Sequence, residues 1–222
     1  LERAGSHRVR VEEDVAVIEG GQSVWAQYVI EHPDRDGLAA LESTLAAFAR
    51  LIEQGKVRAI GASNLDASQL SAALDVAKTH NLPRYEVIQP EYNLYDRSSY
   101  DGALRDLCIK EKLGVVPYYS LASGFLSGKY RTQDDLSQSA RGAGVGKYLN
   151  PRGLKILAAL DAVAARHDAK QAEVALAWLI GREGVTAPIA SATRREHIES
   201  FAKAVQLTLS AEDRAELDAA SA

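Results

Sequence analysis

Polar side chains capable of binding chemistry sit where short apolar runs stop. VRAIGASN at 57–64 ends on Ser63 and Asn64, QPEYN at 89–93 opens on Gln89, and VVPYYSLASG at 115–124 carries Tyr118, Tyr119, Leu121, Ser123 and Gly124. Hydroxyls and carboxamides supply both hydrogen-bond donors and acceptors. An apolar run that ends on such groups and is followed by helical periodicity reads as a strand delivering polar groups to a rim. The pair Arg194-Arg195 is a basic spot able to hold one phosphate. Other chemistry-bearing patterns are missing from the sequence: it has no CxxC, no HExxH and no strand-borne GxGxxG. GAGVG at 142–146 lacks both a preceding strand and a following Lys-Ser/Thr, so it is not a P-loop. The five histidines are scattered with none paired at metal-ligand spacing.

The elements that must position these residues follow from periodicity. Residues 1–23 form an atypical arm in which valines alternate with charge, as in a short hairpin. VWAQYVI at 24–30 reads as a strand. Leu38, Leu41, Leu45, Phe48, Leu51 and Ile52 share one helical face over 37–54, and Gly55 stands in the C-terminal stop position. VRAIGA is the next strand. Asp66 and Ser68 are both candidate caps for the helix carrying Leu70, Leu74 and Val76. YEVIQPEY is a strand, 100–112 a helix broken by Gly114, and VVPYYSL a strand. Residues 122–150 are the longest stretch without periodicity, a length usually functional or disordered. LKILAALDAVAARHD and QAEVALAWLIGRE are helices, VTAPIASA is a last strand, and 194–204 is a helix. Ser210 opens a final helix with a capping-box-like S-x-x-D start. Strands alternating with helices predict right-handed crossovers and a parallel sheet with ligands at the carboxyl ends of the strands. A doubly wound sheet and an α/β barrel both fit this order.

Composition narrows the classes. The chain has 222 residues, 46% hydrophobic and 25% charged, which is ordinary globular usage with length enough for a core. A net charge of −4 and a pI near 5.8 point away from nucleic acid and from anionic membranes. No apolar run approaches the roughly 18 residues of a membrane helix. The single cysteine, Cys108, permits no intrachain disulfide and fits a cytoplasmic setting. The chain opens on Leu1 and contains no methionine, so a processed product, a fragment or a sequence with residues lost is expected.

GKVRAIGASN at 55–64, IQPEYNLYDR at 88–97, VVPYYSLASGFLSGKYR at 115–131, APIASATRREHIES at 187–200 and LTLSAEDRAELDAAS at 207–221 together resemble the aldo-keto reductases. The five motifs are collinear and cover the chain from about Glu31 to its end. The resemblance implies an α/β fold of the (β/α)8 TIM-barrel type, here incomplete with about five of eight strands, as one domain over 1–222. It implies NADP(H), or NAD(H), at the carboxyl rim, hydride transfer to a small carbonyl substrate, and no nucleic acid or membrane partner.

Carried over position by position, Ser63, Asn64 and Gln89 resemble the partners of the nicotinamide carboxamide. A turn with a helix cap, and a solvated strand end, are their plainer readings. Tyr118 resembles the aromatic that stacks under the nicotinamide ring, and its plainer reading is core. Tyr119, Leu121, Ser123 and Gly124 align with the loop wrapping the pyrophosphate, where backbone N–H groups suit anionic oxygens. Lys129 and Arg141 are candidates for contact with the same phosphates, or simply solvated loop charges. Ser191, Thr193, Arg194 and His197 align with the segment at the adenosine 2′-phosphate, and a helix start with hydroxyls and a cation suits a phosphate. Ser200-Phe201 stands where the family often has Glu-Asn, which leaves NADP against NAD open.

His32 resembles the substrate-side histidine with a one-residue shift, its alternative being a loop histidine near the rim. The family's proton-donating tyrosine, with its lysine and aspartate, lies on upstream strands, and residues 1–23 hold neither tyrosine nor lysine. A positioned general acid is worth about 10²–10⁴-fold. The expectation is therefore a reductase by lineage that is catalytically incomplete in these residues, with self-association through exposed sheet edges. The competing expectation is a non-catalytic nucleotide-binding or interaction module derived from the same fold.

Overall fold

The computed structural model of the chain describes residues 9–11, 28–30, 38–138 and 142–222. The chain divides into two compact units, one of residues up to Arg58 with Ala72–Arg84, the other of Ala59–Ser71 with Tyr85–Ala222.

In the first unit β1 (Val9–Val11) pairs antiparallel with β2 (Tyr28–Ile30), Val9 opposite Ile30 and Val11 opposite Tyr28. This corrects the reading of 24–30 as a member of a parallel series: its described part partners the arm instead. Antiparallel neighbours need no helical crossover between them. The helix α1 (Leu38–Glu53) buries Leu45 and Phe48. It closes where the glycine predicted: Gly55 has φ 68°, its N–H donates to the Ile52 carbonyl (2.9 Å), and Lys56 N–H reaches the Leu51 carbonyl (3.0 Å). The helix α2 (Ala67–Thr79) contributes buried Ala73, Val76 and Ala77 to this unit. Of its two candidate caps, Asp66 is the one used. Its Oδ1 accepts from Gln69 N–H at 2.8 Å while Gln69 Oε1 accepts from Asp66 N–H at 3.0 Å, a reciprocal capping box.

The second unit contains a three-stranded parallel sheet in the order β3 (Ile60–Ser63), β4 (Tyr85–Gln89), β5 (Gly114–Val115). Ser63 is opposite Gln89, Ile88 opposite Val115, and an isolated bridge joins Glu91 to Tyr118. The expected last strand, VTAPIASA, does not have strand geometry. It lies along β5 all the same, with Thr186 N–H on the Val115 carbonyl (2.8 Å) and Ile189 N–H on the Pro117 carbonyl (2.9 Å). Two features keep it from a regular ladder. The Thr186 hydroxyl, not a backbone carbonyl, accepts the Val115 N–H (3.0 Å), and Pro188 has no N–H to give.

The helix expected over 100–112 is shorter, α3 (Ala103–Glu111), because Gly102 adopts φ 97° and ψ −130°, outside the helical region and open chiefly to glycine. Residues 122–150, read as non-periodic, hold short helical turns: 3₁₀ segments at Ala122–Ser127, Asp134–Gln138 and Gly146–Tyr148, and α4 (Gly142–Val145). Single turns carry no apolar period, so pattern could not reveal them. The long helices α5 (Pro151–Arg166), α6 (Gln171–Ile180), α7 (Arg195–Gln206) and α8 (Ala211–Ser221) follow as expected. No helix among the described residues is long and apolar enough to cross a membrane.

The helix α8 is bound at both ends. At its start Ser210 and Asp213 form the predicted capping box. The buried Asp213 also takes His167 Nε2 at 2.7 Å and both Arg166 Nε (3.0 Å) and Nη2 (2.8 Å). Further along, Asp218 accepts from Trp178 Nε1 at 3.1 Å, from Arg97 at 3.0 Å and from Arg182 at 3.4 Å. Burial works to raise the Asp213 pKa, but the bonds from His167, Arg166 and Ser210 outweigh it and hold the carboxyl well below the ordinary range. A depressed carboxyl stabilises the fold above its unfolded pKa of about 3.9 and loses that contribution as pH falls below it. Asp213→Asn should therefore cost about 1–3 kcal/mol at neutral pH. It should also flatten the loss of stability below about pH 4. Urea denaturation followed at pH 7 and at pH 3 checks both outcomes.

Candidate functional site

The register of the parallel sheet gathers the rim residues. Ser63 and Gln89 are paired across β3 and β4, Glu91 lies two residues beyond Gln89, and Tyr118 is bridged to Glu91. Paired residues share a face and side chains repeat every second position, so these four lie on one side of the sheet. It is the open side: Ser63 is exposed and Gln89, Glu91 and Tyr118 are half-buried, while Ile88, Pro90 and Pro117 between them are buried.

Hydrogen bonds then fix what each group has to offer. The Ser63 hydroxyl donates to the Gln89 carbonyl (2.8 Å), which leaves its lone pairs free to accept. Asn64 sits in the left-handed region at φ 57°, a conformation its short polar side chain tolerates, and its Oδ1 accepts from the Tyr118 hydroxyl at 2.8 Å. The Tyr118 ring is thereby tethered at its far end and lies 5.1 Å from that of Tyr119. Burial, then the neighbouring Glu91 charge, pushes the Tyr118 phenol pKa up, so it stays a neutral donor. The Asn64 amide NH₂ and the whole Gln89 side-chain amide have no partner among the described residues.

Behind the rim stands a group that the sequence reading overlooked. Asn93 is fully buried, and its amide donates to the Tyr119 carbonyl (3.0 Å) and to Asp96 Oδ2 (3.1 Å). Its Oδ1 accepts the N–H groups of Tyr95 (2.8 Å) and Asp96 (2.9 Å). Tyr148 hydroxyl also donates to Asp96 (2.9 Å). An Asn followed three residues later by Asp, as in NLYD, was the available signal for a side-chain-closed turn.

In the loop, Tyr119, Ala122 and Ser123 all have left-handed φ (53°, 48° and 56°) and Gly124 has φ 94°. A Cβ on Gly124 would lie 3.3 Å from Lys129 Cε, so the lysine stem folds directly over the glycine. The backbone N–H groups of Ala122 and Gly124 close local turns on Tyr119 (2.7 Å) and Leu121 (2.8 Å). The Ser123 hydroxyl makes no hydrogen bond among the described residues, and Lys129 Nζ meets only the Tyr130 ring, at 4.8 Å. Those two, rather than the amides of Ala122 and Gly124, are the groups with unused capacity for an anion.

The segment after 186–189 leaves the sheet beyond Pro117 and enters α7. Ser191, Thr193 and Arg194 are exposed there. Thr193 N–H is taken by His197 Nδ1 (3.2 Å), so His197 serves the helix start, and Arg195 pairs with Glu199 (2.9 Å). Arg194 is the cation without a carboxylate at this end among the described residues. Ser200 is turned inward, its hydroxyl on buried Glu173 at 2.8 Å. His32 and Arg141 lie outside the described residues.

This donor set fits a nicotinamide nucleotide. Unpartnered amides at Asn64 and Gln89, with an accepting Ser63 hydroxyl, complement a carboxamide; Tyr118 supplies a ring face; Ser123, Lys129 and Arg194 supply unpaired donors for phosphates.

The aldo/keto reductase family model matches residues 7–222. The chain is 29% identical over 185 residues to L-glyceraldehyde 3-phosphate reductase of Escherichia coli O157:H7, covering 80% of this chain and 53% of that protein. It is 30% identical over 188 residues to Protein tas of Escherichia coli K12, covering 81% and 52%. It is 29% identical over 177 residues to a probable voltage-gated potassium channel subunit beta of Arabidopsis thaliana, covering 78% and 54%. A solved thermostable aldo-keto reductase in complex with the inhibitor epalrestat superposes with a TM-score of 0.64 at 28% identity, covering 81% of this chain and 54% of that one. The chain thus spans about half the length of the relatives it matches. Its α/β architecture, a partial parallel sheet flanked by helices, is of the TIM-barrel type that this structural neighbour has. A match to the family model running over nearly the whole sequence leads to one conclusion: the chain belongs to the aldo/keto reductase family.

Proposed function

We propose that this chain seats a nicotinamide dinucleotide, NADP(H) in preference to NAD(H), for hydride transfer to a small aldehyde or ketone. The observation that carries the reading is the Asn64 NH₂ and the Gln89 side-chain amide, both without a partner among the described residues, on the same rim as the tethered Tyr118 ring. A bound cofactor supplies the hydride. The chain's own residues hold its carboxamide and fix which ring face is offered, Ser123 and Lys129 attend the pyrophosphate, and Arg194 with Ser191 and Thr193 attends a 2′-phosphate. Arg194 is the basis for preferring the phosphorylated cofactor, since a guanidinium without a carboxylate gains most from a phosphate. His197 contributes by ordering the helix start rather than by contact.

These residues are the cofactor half of a reductase. No tyrosine–lysine pair placed as proton donor stands on this rim among the described residues, and such a donor is worth about 10²–10⁴-fold. The 222-residue chain alone should therefore bind the cofactor with little turnover. A purely binding role is the second reading; what favours it is that one relative is named as a channel subunit, not as a reductase.

NADPH fluorescence on titration with the chain measures the seat. Asn64→Ala and Gln89→Ala should each weaken binding by about three- to tenfold, the loss of one hydrogen bond. Absence of any fluorescence change with both NADPH and NADH would refute the reading. Arg194→Ala should weaken NADPH by about tenfold while leaving NADH within about twofold, because a charge-assisted bond to a phosphate is lost only in the first case. NADPH consumption with a simple aldehyde then separates reductase from binding module.

A further inference from the structure

We propose that Glu91 sets the preference of this rim for oxidised over reduced cofactor, acting as a carboxyl whose charge is switched by pH beside the nicotinamide. The inference rests on the cofactor seat proposed above and deepens it. Its geometric basis is the isolated bridge that places Glu91 directly opposite Tyr118, two residues beyond Gln89 on the same side of the sheet. No other carboxylate occupies that line of rim positions: Ser63, Gln89 and Tyr118 are all uncharged.

The surroundings of Glu91 explain why its charge is conditional. The Asp96 carboxylate lies near enough to act on it as a like charge. Asp96 accepts from Asn93 (3.1 Å) and from the Tyr148 hydroxyl (2.9 Å), which fixes its place beside Glu91. The other groups facing Glu91 are the phenols of Tyr118 and Tyr148, and the Lys147 ammonium, which lies 4.7 Å from the Tyr148 ring. Burial, then the adjacent Asp96 charge, pushes Glu91 above the ordinary glutamate range, and Lys147 opposes them only in part. The main chain holds this arrangement: the Glu91 carbonyl accepts the Ser99 hydroxyl, and Tyr118 N–H donates to the Pro90 carbonyl at 3.0 Å.

The two redox forms of the cofactor differ at this place by one charge. The oxidised nicotinamide ring is a cation and the reduced ring is neutral. Ionised Glu91 attracts the first and is indifferent to the second, so affinity for NADP⁺ relative to NADPH rises as pH rises through the Glu91 titration. The 2′-phosphate, the pyrophosphate, His197 and Arg194 act equally on both forms and cancel from the ratio. One added charge across a solvated rim is worth about three- to tenfold in that ratio.

The test measures Kd for NADP⁺ and for NADPH by isothermal titration at pH 5, 6, 7 and 8, with the chain, with Glu91→Gln and with Lys147→Ala. In parallel, carboxyl ¹³C NMR follows the Glu91 titration in the free chain. The expected result is a ratio of Kd for NADPH to Kd for NADP⁺ that climbs about three- to tenfold with pH in the chain. It is flat in Glu91→Gln and climbs at higher pH in Lys147→Ala. The Glu91 resonance should titrate above the ordinary glutamate value of about 4.3. A ratio with the same pH dependence in the chain and in Glu91→Gln overturns the inference while leaving the seat intact. So does a Glu91 midpoint at the ordinary value, a readout that stands even where Glu91→Gln does not fold. Binding of neither nucleotide overturns the seat and this inference with it.

Discussion

One buried amide holds the rim together. Asn93 has two donors and two acceptor positions, and all four are used inside the protein: the Tyr119 carbonyl, Asp96, and the N–H groups of Tyr95 and Asp96. In an enclosed site each of these contacts is strong, and each would be costly to leave unmade. The result is that the chain leaving β4 and the chain leaving β5 are joined by a side chain where sheet hydrogen bonds have given out. Below that point the backbone ladder maintains register; above it Asn93 does, and the isolated bridge between Glu91 and Tyr118 survives three residues beyond the last regular pair of β4 and β5. The left-handed backbone of Tyr119 is affordable for the same reason, since its carbonyl has a fixed buried partner.

The strand ends at Ser63 and Gln89 were legible because a run such as VRAIGASN moves from apolar to polar within a few residues, and that transition is what a parallel strand reaching a solvated rim requires. The stops and starts of helices were legible for local reasons: Gly55 after α1, and Ser210 with Asp213 before α8. What stayed hidden depends on side chains that replace backbone partners. Thr186 substitutes its hydroxyl for a ladder carbonyl, so VTAPIASA has the composition of a strand without its geometry. The Asp96–Tyr148 bond joins residues 52 apart, which no local pattern encodes. The direction of pairing of 28–30 was equally out of reach, because a short apolar run specifies that it pairs and not with whom. Among the candidate site residues, Ser63, Asn64, Gln89 and Tyr118 are brought together, Ser123, Lys129 and Arg194 are left with capacity to spare, and His197 is occupied in ordering its own helix.

The rim and the body of the second unit are built on different physics. At the rim, groups keep unused capacity among the described residues: the Asn64 NH₂ and the Gln89 amide, a lysine over a ring, a guanidinium without a carboxylate. In the body, charges are paired with one another. Arg97 and Arg182 each contact both Asp101 and Asp218, and Tyr92 hydroxyl bridges between Arg182 (3.0 Å) and Asp101 (2.8 Å). This network brings the last helix onto the core with defined orientation, which apolar contact alone leaves loose. Separating the two lets the scaffold stay rigid while the rim keeps groups for a ligand.

Trp178 gives that body an optical signature. The indole is fully enclosed, hydrogen-bonded to Asp218 at 3.1 Å, and stands between the guanidinium groups of Arg97 and Arg182 at 5.4 and 5.0 Å. A ring in such a setting emits at shorter wavelength than one in water, and detaching α8 would hydrate it at once. With Trp25 replaced by phenylalanine, the emission of the remaining indole becomes a clock for the release of the C-terminal helix, read without any label.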